Sequence, residues 1–178
     1  EKVARLVNIE GLGAAPADIA ANTASTHAAR MREWIAERRA AAGRLTRRYA
    51  TLEQAYQRMK EANSYLSDEQ ARHLTVHGAS RNEDGTWGWK YDNYLFSMPP
   101  WEISAGDTFA LWAAITCPVL LLWGQDSWAS NPKDDGRLDH FADVRLITYE
   151  HAGHWLHHDR LESFLGDVRA FLAGRPGR

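Results

Sequence analysis

The sequence is poor in cysteine: Cys117 is alone among 178 residues. No internal disulfide can form, and no cysteine cage can hold zinc. Net charge is also scarce. Lys and Arg number 21 against 23 Asp and Glu, a formal charge of −2, so no global basic excess points to nucleic acid. Apolar runs such as Val119 to Trp123 are far too short to span a membrane. No repeat is visible at a period of 20–50 residues. The chain opens Glu1-Lys2-Val3 without an initiator methionine or a signal peptide, which reads as a start in mid-domain. What is present is ordinary for a globular domain: 44% hydrophobic and 25% charged residues exclude wholesale disorder and collagen-like structure. Two biases stand out. Tryptophan occurs 8 times, and arginine supplies most of the basic charge.

Val3 to Ile9 is a short, β-branched apolar run without polar alternation, the pattern of a strand buried on both faces. Glu10-Gly11-Leu12-Gly13 ends it as a loop. A helix is expected from Pro16 to about Ala42, closed by Gly43. A second fits Thr51 to Asn63, with Thr51 as N-cap and Gln54 as its box partner, and a third fits Ser67 to His77, opened by the capping box Ser67-Asp68-Glu69-Gln70. Asp84-Gly85, between arms containing Ser80-Arg81 and Trp87, signals a hairpin. Pro99-Pro100 breaks the chain, and Ser104 with Asp107 caps a helix to about Ile115. From Pro118 strand and helix alternate: strand Val119–Trp123, loop Gly124–Asn131, short helix Pro132–Phe141, strand Val144–Tyr149, and an amphipathic helix Leu161–Leu172. Strands separated by helices imply a parallel α/β sheet. The order is a strand, about a hundred residues of helices with one hairpin, then strand–helix–strand–helix, so the middle reads as an insertion in an α/β domain.

Several residues have the chemistry for a site. His154 sits in Glu150-His151-Ala152-Gly153-His154-Trp155, directly after an expected strand; an imidazole titrates near pH 6.5 and suits proton transfer near neutrality. His154, His157 and His158 would serve as metal ligands only if helical spacing aligned them, and no acidic ligand is obviously placed, so no metal and no cofactor is expected. Glu10 and Asp126 each end an expected strand, and either carboxylate suits the orienting of a histidine. Cys117, before a proline at a strand entrance, reads as a buried structural thiol.

The Gly153-His154 loop before an amphipathic helix resembles the histidine loop of α/β-hydrolases. Ile115-Thr116-Cys117-Pro118-Val119 through Gly124-Gln125-Asp126 is similar to that family's penultimate core strand, although the position three after Gly124 is Ser127 and the carboxylate lies one earlier. Arg48-Tyr49-Ala50-Thr51-Leu52-Glu53-Gln54-Ala55, Asn63-Ser64-Tyr65-Leu66-Ser67 and Trp89-Lys90-Tyr91-Asp92 resemble the serine-hydrolase-like group within it. The resemblance implies an α/β-hydrolase fold, seen as the C-terminal part of its parallel sheet with a mainly helical cap insertion. Residues 1–16 would be a core strand and acid loop, 17–115 the cap or lid with one hairpin, and 116–178 the closing core with the histidine loop. It implies His154 as general base and either Glu10 or Asp126 as the acid, since members place the acid at the end of either strand. It also requires a nucleophile on a G-x-Nu-x-G elbow. No Ser, Cys or Asp follows a strand here with small residues on both sides, so the nucleophile and the oxyanion hole are expected upstream, in an N-terminal half that this portion needs.

The implied activity is hydrolysis of a small ester by a serine esterase-like mechanism. The alternatives are an enzyme with an Asp nucleophile, like haloalkane dehalogenases or epoxide hydrolases, and a non-catalytic homologue acting as a binding module. In the family the insertion lines the substrate pocket, which gives Trp34, Trp89, Trp128 and Trp155 as candidate substrate contacts. Trp87, Trp101 and Trp112 are further aromatic candidates in the expected lid. The arginines from Arg30 to Arg48, interleaved with Glu33 and Glu37, read as a solvated helix face. A small-molecule substrate is expected, with no nucleic acid or membrane partner, and the single cysteine fits a cytoplasmic setting.

Overall fold

The computed structural model describes residues 2–44, 46–96 and 103–175; Pro99-Pro100 and Trp101 lie outside them. In chain order the elements are β1 (Leu6–Ile9), α1 (Pro16–Thr23), α2 (His27–Ala42), α3 (Leu52–Ala62), α4 (Asp68–Gly78), β2 (Ala79–Arg81), β3 (Trp87–Trp89), a 3₁₀ turn (Asn93–Phe96), α5 (Ala105–Ala113), β4 (Val119–Gly124), a second 3₁₀ turn (Arg137–His140), β5 (Val144–Tyr149), α6 (Leu156–Asp159) and α7 (Leu161–Leu172). The chain forms two compact units, one of residues 1–24 with 102–178 and one of residues 25–101.

The first unit carries a parallel sheet in the order β1-β4-β5. Leu6 to Ile9 align with Val119 to Leu122, and Val119 to Gly124 with Val144 to Tyr149. β4 is central, and its Val119, Leu120, Leu121 and Leu122 are all buried. That explains the unbroken apolar run, because a parallel strand covered on both faces has no side to give to water. Leu120 and Leu122 pack with Tyr149, Ala152, Leu156 and Phe171, and Phe164 and Val168 of α7 close over them. Phe164, Val168 and Phe171 recur at four- and three-residue spacing, which puts them on one helix face. Tyr149 also donates its buried hydroxyl to Asp167 at 2.8 Å, tying the end of β5 to α7.

The second unit pairs α3 with α4 and carries the antiparallel hairpin β2–β3. Gly85 takes the left-handed conformation that the Asp84-Gly85 turn requires (φ 83°). Ser67 and Gln70 form the full expected capping box. At α3, Thr51 caps the Gln54 amide, while the Gln54 side chain accepts from Ala50 rather than from Thr51.

Two expected helices differ. The run from Pro16 to Ala42 is two helices, because Thr26 takes an extended backbone and caps a new start at His27 by accepting from the Ala29 amide; the alanines on both sides carry helix propensity but no boundary signal. Pro132–Phe141 forms turns and one 3₁₀ turn instead of a helix. Asp135 accepts from the Arg137 amide, a bond that competes with the helical one. Gly136 in the left-handed region (φ 79°) then excludes a continuous helix. α1 packs against α5 within the first unit, and Trp112 of α5 stacks on Phe141 there.

Candidate functional site

The carboxyl ends of β1, β4 and β5 converge on one carboxylate and one imidazole. Glu10 follows β1, its amide still bonded to the Leu122 carbonyl at 3.1 Å. Its backbone then turns into the left-handed region (φ 50°). A non-glycine residue there costs roughly 1–2 kcal/mol, and such strain tends to collect where function demands a particular side-chain direction. The result is a carboxylate with no exposed surface. Its Oε1 accepts from the Gly124 amide at 2.6 Å, and its Oε2 accepts from the Ser127 hydroxyl at 2.6 Å. Oε2 also lies 2.5 Å from Nδ1 of His154. A carboxylate removed from water is tolerable only with such donors, each charge-assisted bond contributing roughly 1.5–3 kcal/mol.

His154 is held by its loop. His151 adopts a positive φ of 51°, and past the strand ends the Gln125 amide bonds Tyr149 and the Asp126 amide bonds Ala152, both at 2.9 Å. Asp159 accepts from the Gly153 amide at 2.8 Å, and Arg160 donates to the Glu150 carbonyl at 3.0 Å. Gly124 lets this loop cross so close to β4: a Cβ there would collide with the carbonyl oxygens of Ala152 and Gly153.

With a carboxylate on Nδ1 the imidazole keeps its hydrogen on that nitrogen, which leaves Nε2 with a lone pair to accept a proton. The His154 side chain is 36% exposed, so it meets solvent while its partner does not. The Trp128 ring lies 4.7 Å from the imidazole and is 82% exposed.

Of the two candidate acids, then, Glu10 stands on Nδ1. Asp126 is exposed in the loop after β4, its amide fastened to the histidine loop. Ser127, at the position three after Gly124, supports the other strand's carboxylate. It is not set up as a nucleophile, since its hydroxyl donates to Glu10 and accepts from the Ala129 amide at 3.1 Å. Trp155 neighbours His158, with 5.9 Å between ring centres. Trp34 and Trp89 belong to the 25–101 unit, where the Trp89 indole donates to the Tyr49 hydroxyl at 3.1 Å and the Arg38 guanidinium lies over Trp34. Burial, reinforced by the neighbouring His158, holds the His157 imidazole below its ordinary range. Among the described residues no group of three His, Cys, Asp or Glu side chains is placed to hold a metal ion. No described helix is long and apolar enough to cross a membrane.

The sequence pattern did not single out the groups that hold Glu10, namely the Gly124 amide and the Ser127 hydroxyl. The signal available was Gly124-x-x-Ser127, a hydroxyl three residues after the strand-ending glycine.

Solved structures share this fold. A thioesterase domain from the curacin biosynthetic pathway superposes with a TM-score of 0.76 at 16% identity, over 95% of this chain and 58% of that one. A hypothetical protein of Pseudomonas aeruginosa PAO1 gives 0.73 at 22% identity, over 97% and 59%. A novel esterase from Mycobacterium tuberculosis gives 0.64 at 17% identity, over 96% and 52%. The chain thus spans little more than half the length of each. No significant match emerges among curated protein sequences. The model of the alpha/beta hydrolase family matches residues 3–165, and with a parallel sheet whose strand ends present a paired carboxylate and histidine, the chain belongs to that family.

Proposed function

We propose that this chain supplies the base and acid of a nucleophile–His–acid triad in a hydrolase acting on small esters. The observation that carries the reading is the Glu10–His154 pair, buried at its carboxylate and open at its imidazole. The nucleophile comes from the part of the domain that this chain does not span. His154 Nε2 takes the proton of the attacking hydroxyl and returns it to the departing alkoxide, forming an acyl-enzyme; it then activates water for deacylation. Glu10 holds the imidazole in the required tautomer and balances the imidazolium charge. Trp128, its ring tilted against the His154 imidazole and open to solvent, is the substrate wall nearest the chemistry. The esterase and thioesterase among the structural neighbours support ester-type chemistry.

The test uses the full-length protein containing this chain. A fluorophosphonate probe is expected to label it, and His154→Ala is expected to lower turnover of short p-nitrophenyl esters by roughly four orders of magnitude. Wild-type turnover in that variant would remove His154 from the chemistry. A second reading has its own support. The acid follows β1, a position shared in the family by Asp-nucleophile enzymes, and such an enzyme would resist fluorophosphonate while incorporating ¹⁸O from labelled water into its aspartate.

A further inference from the structure

We propose that Ser127 is a positioning residue of the Glu10–His154 pair, its hydroxyl fixing which carboxylate oxygen receives the imidazole. Ser127 Oγ and His154 Nδ1 meet the same oxygen, Glu10 Oε2, at 2.6 and 2.5 Å. The other oxygen is occupied by the Gly124 amide at 2.6 Å. The carboxylate thus has one donor on Oε1 and two on Oε2, an asymmetric set that specifies its rotation.

The direction of the hydroxyl is itself specified. Ser127 Oγ accepts from the Ala129 amide at 3.1 Å, so its one hydrogen is left for Glu10. The Ser127 amide in turn bonds the Gly124 carbonyl at 3.0 Å. Gly124 and Ser127 therefore form one short turn at the end of β4 that grips both oxygens of a carboxylate delivered by β1. No other side-chain hydroxyl among the described residues bonds to Glu10. Without Ser127, Oε2 keeps only the imidazole, and the torsion that presents it to Nδ1 is set by the Gly124 amide alone.

The catalytic consequence rests on the triad reading above; the hold on the pair does not. Both are read in the full-length protein, ¹⁵N-labelled at histidine. A short hydrogen bond to a carboxylate shifts the imidazole Nδ1–H proton downfield, and Glu10→Gln identifies that resonance by abolishing it. Ser127→Ala is expected to move or broaden the resonance and to lower kcat tenfold or more on p-nitrophenyl esters with KM little changed. Ser127→Thr, which keeps the hydroxyl, is expected to restore both. If the alanine variant does not fold, Ser127→Cys, similar in size and a weaker donor, takes its place. A resonance unmoved in Ser127→Ala overturns the proposal, whether or not kcat falls, because any loss then has another origin. A moved resonance with unchanged kcat also overturns the catalytic role if Glu10→Gln is inactive. If Glu10→Gln is fully active as well, it is the triad reading that fails, and Ser127 still holds the pair.

Discussion

Glu10 combines three unusual properties: it follows a strand with a positive φ, it carries a fully buried carboxylate, and it spends both oxygens on the neighbouring strand and its loop. None of these is visible at position 10 alone. Glu10 and Asp126 are both candidates in sequence because each follows a strand; what separates them is the parallel register, which sets Ile9 beside Leu122 and so brings Glu10 to Gly124. His157 supports a prediction at this same scale. Its imidazole titrates below the ordinary value of 6.5, chiefly through burial and then through repulsion by His158. As pH falls through about 6.5 the unfolded chain therefore gains a proton that the folded chain refuses, so stability declines with falling pH in that window. Urea midpoints at pH 7.5 and 5.5 are expected to differ less in His157→Gln than in the wild type. An equal or larger difference would show that His157 does not contribute.

Among the elements, β4 organises the site. Its four buried aliphatics anchor the sheet, and its terminal Gly124 serves the functional end twice, donating its amide to Glu10 and leaving room for the histidine loop. In Gly124→Ala the new methyl meets backbone oxygens, which cannot rotate away as a side chain would. The expected loss is about 1–3 kcal/mol in a denaturant titration, together with a displaced His154 and reduced ester turnover. Unchanged stability and turnover would mean that the loop passes elsewhere. β4 and α7 were legible in sequence because burial imposes plain patterns on them, an unbroken apolar run for a doubly covered strand and period 3.6 for a half-covered helix. The break at Thr26 and the turns after Pro132 were not. In the first, alanine-rich sequence continues helix propensity across the boundary. In the second, the Asp135 side chain takes the Arg137 amide that a continued helix would bond internally, and Gly136 turns left-handed.

For the molecule as a whole, two compact units alternate along one chain. Glu10, Ser127, Trp128 and His154 all belong to the unit built from residues 1–24 and 102–178. Residues 144 positions apart meet because β4 pairs with β1 on one side and β5 on the other despite the intervening unit, an arrangement that fits the strand–insertion–strand order. The order did not reveal which of two strand ends would deliver the acid. Ester hydrolysis by the full-length protein decides that choice. Glu10→Gln and Asp126→Asn are compared by kcat/KM on one p-nitrophenyl ester. With Glu10 as the acid, Glu10→Gln should fall by about four orders of magnitude, as expected when the imidazole loses its orienting carboxylate, while Asp126→Asn stays within a few-fold of the wild type. A large loss in Asp126→Asn with activity retained in Glu10→Gln would assign the acid to the other strand.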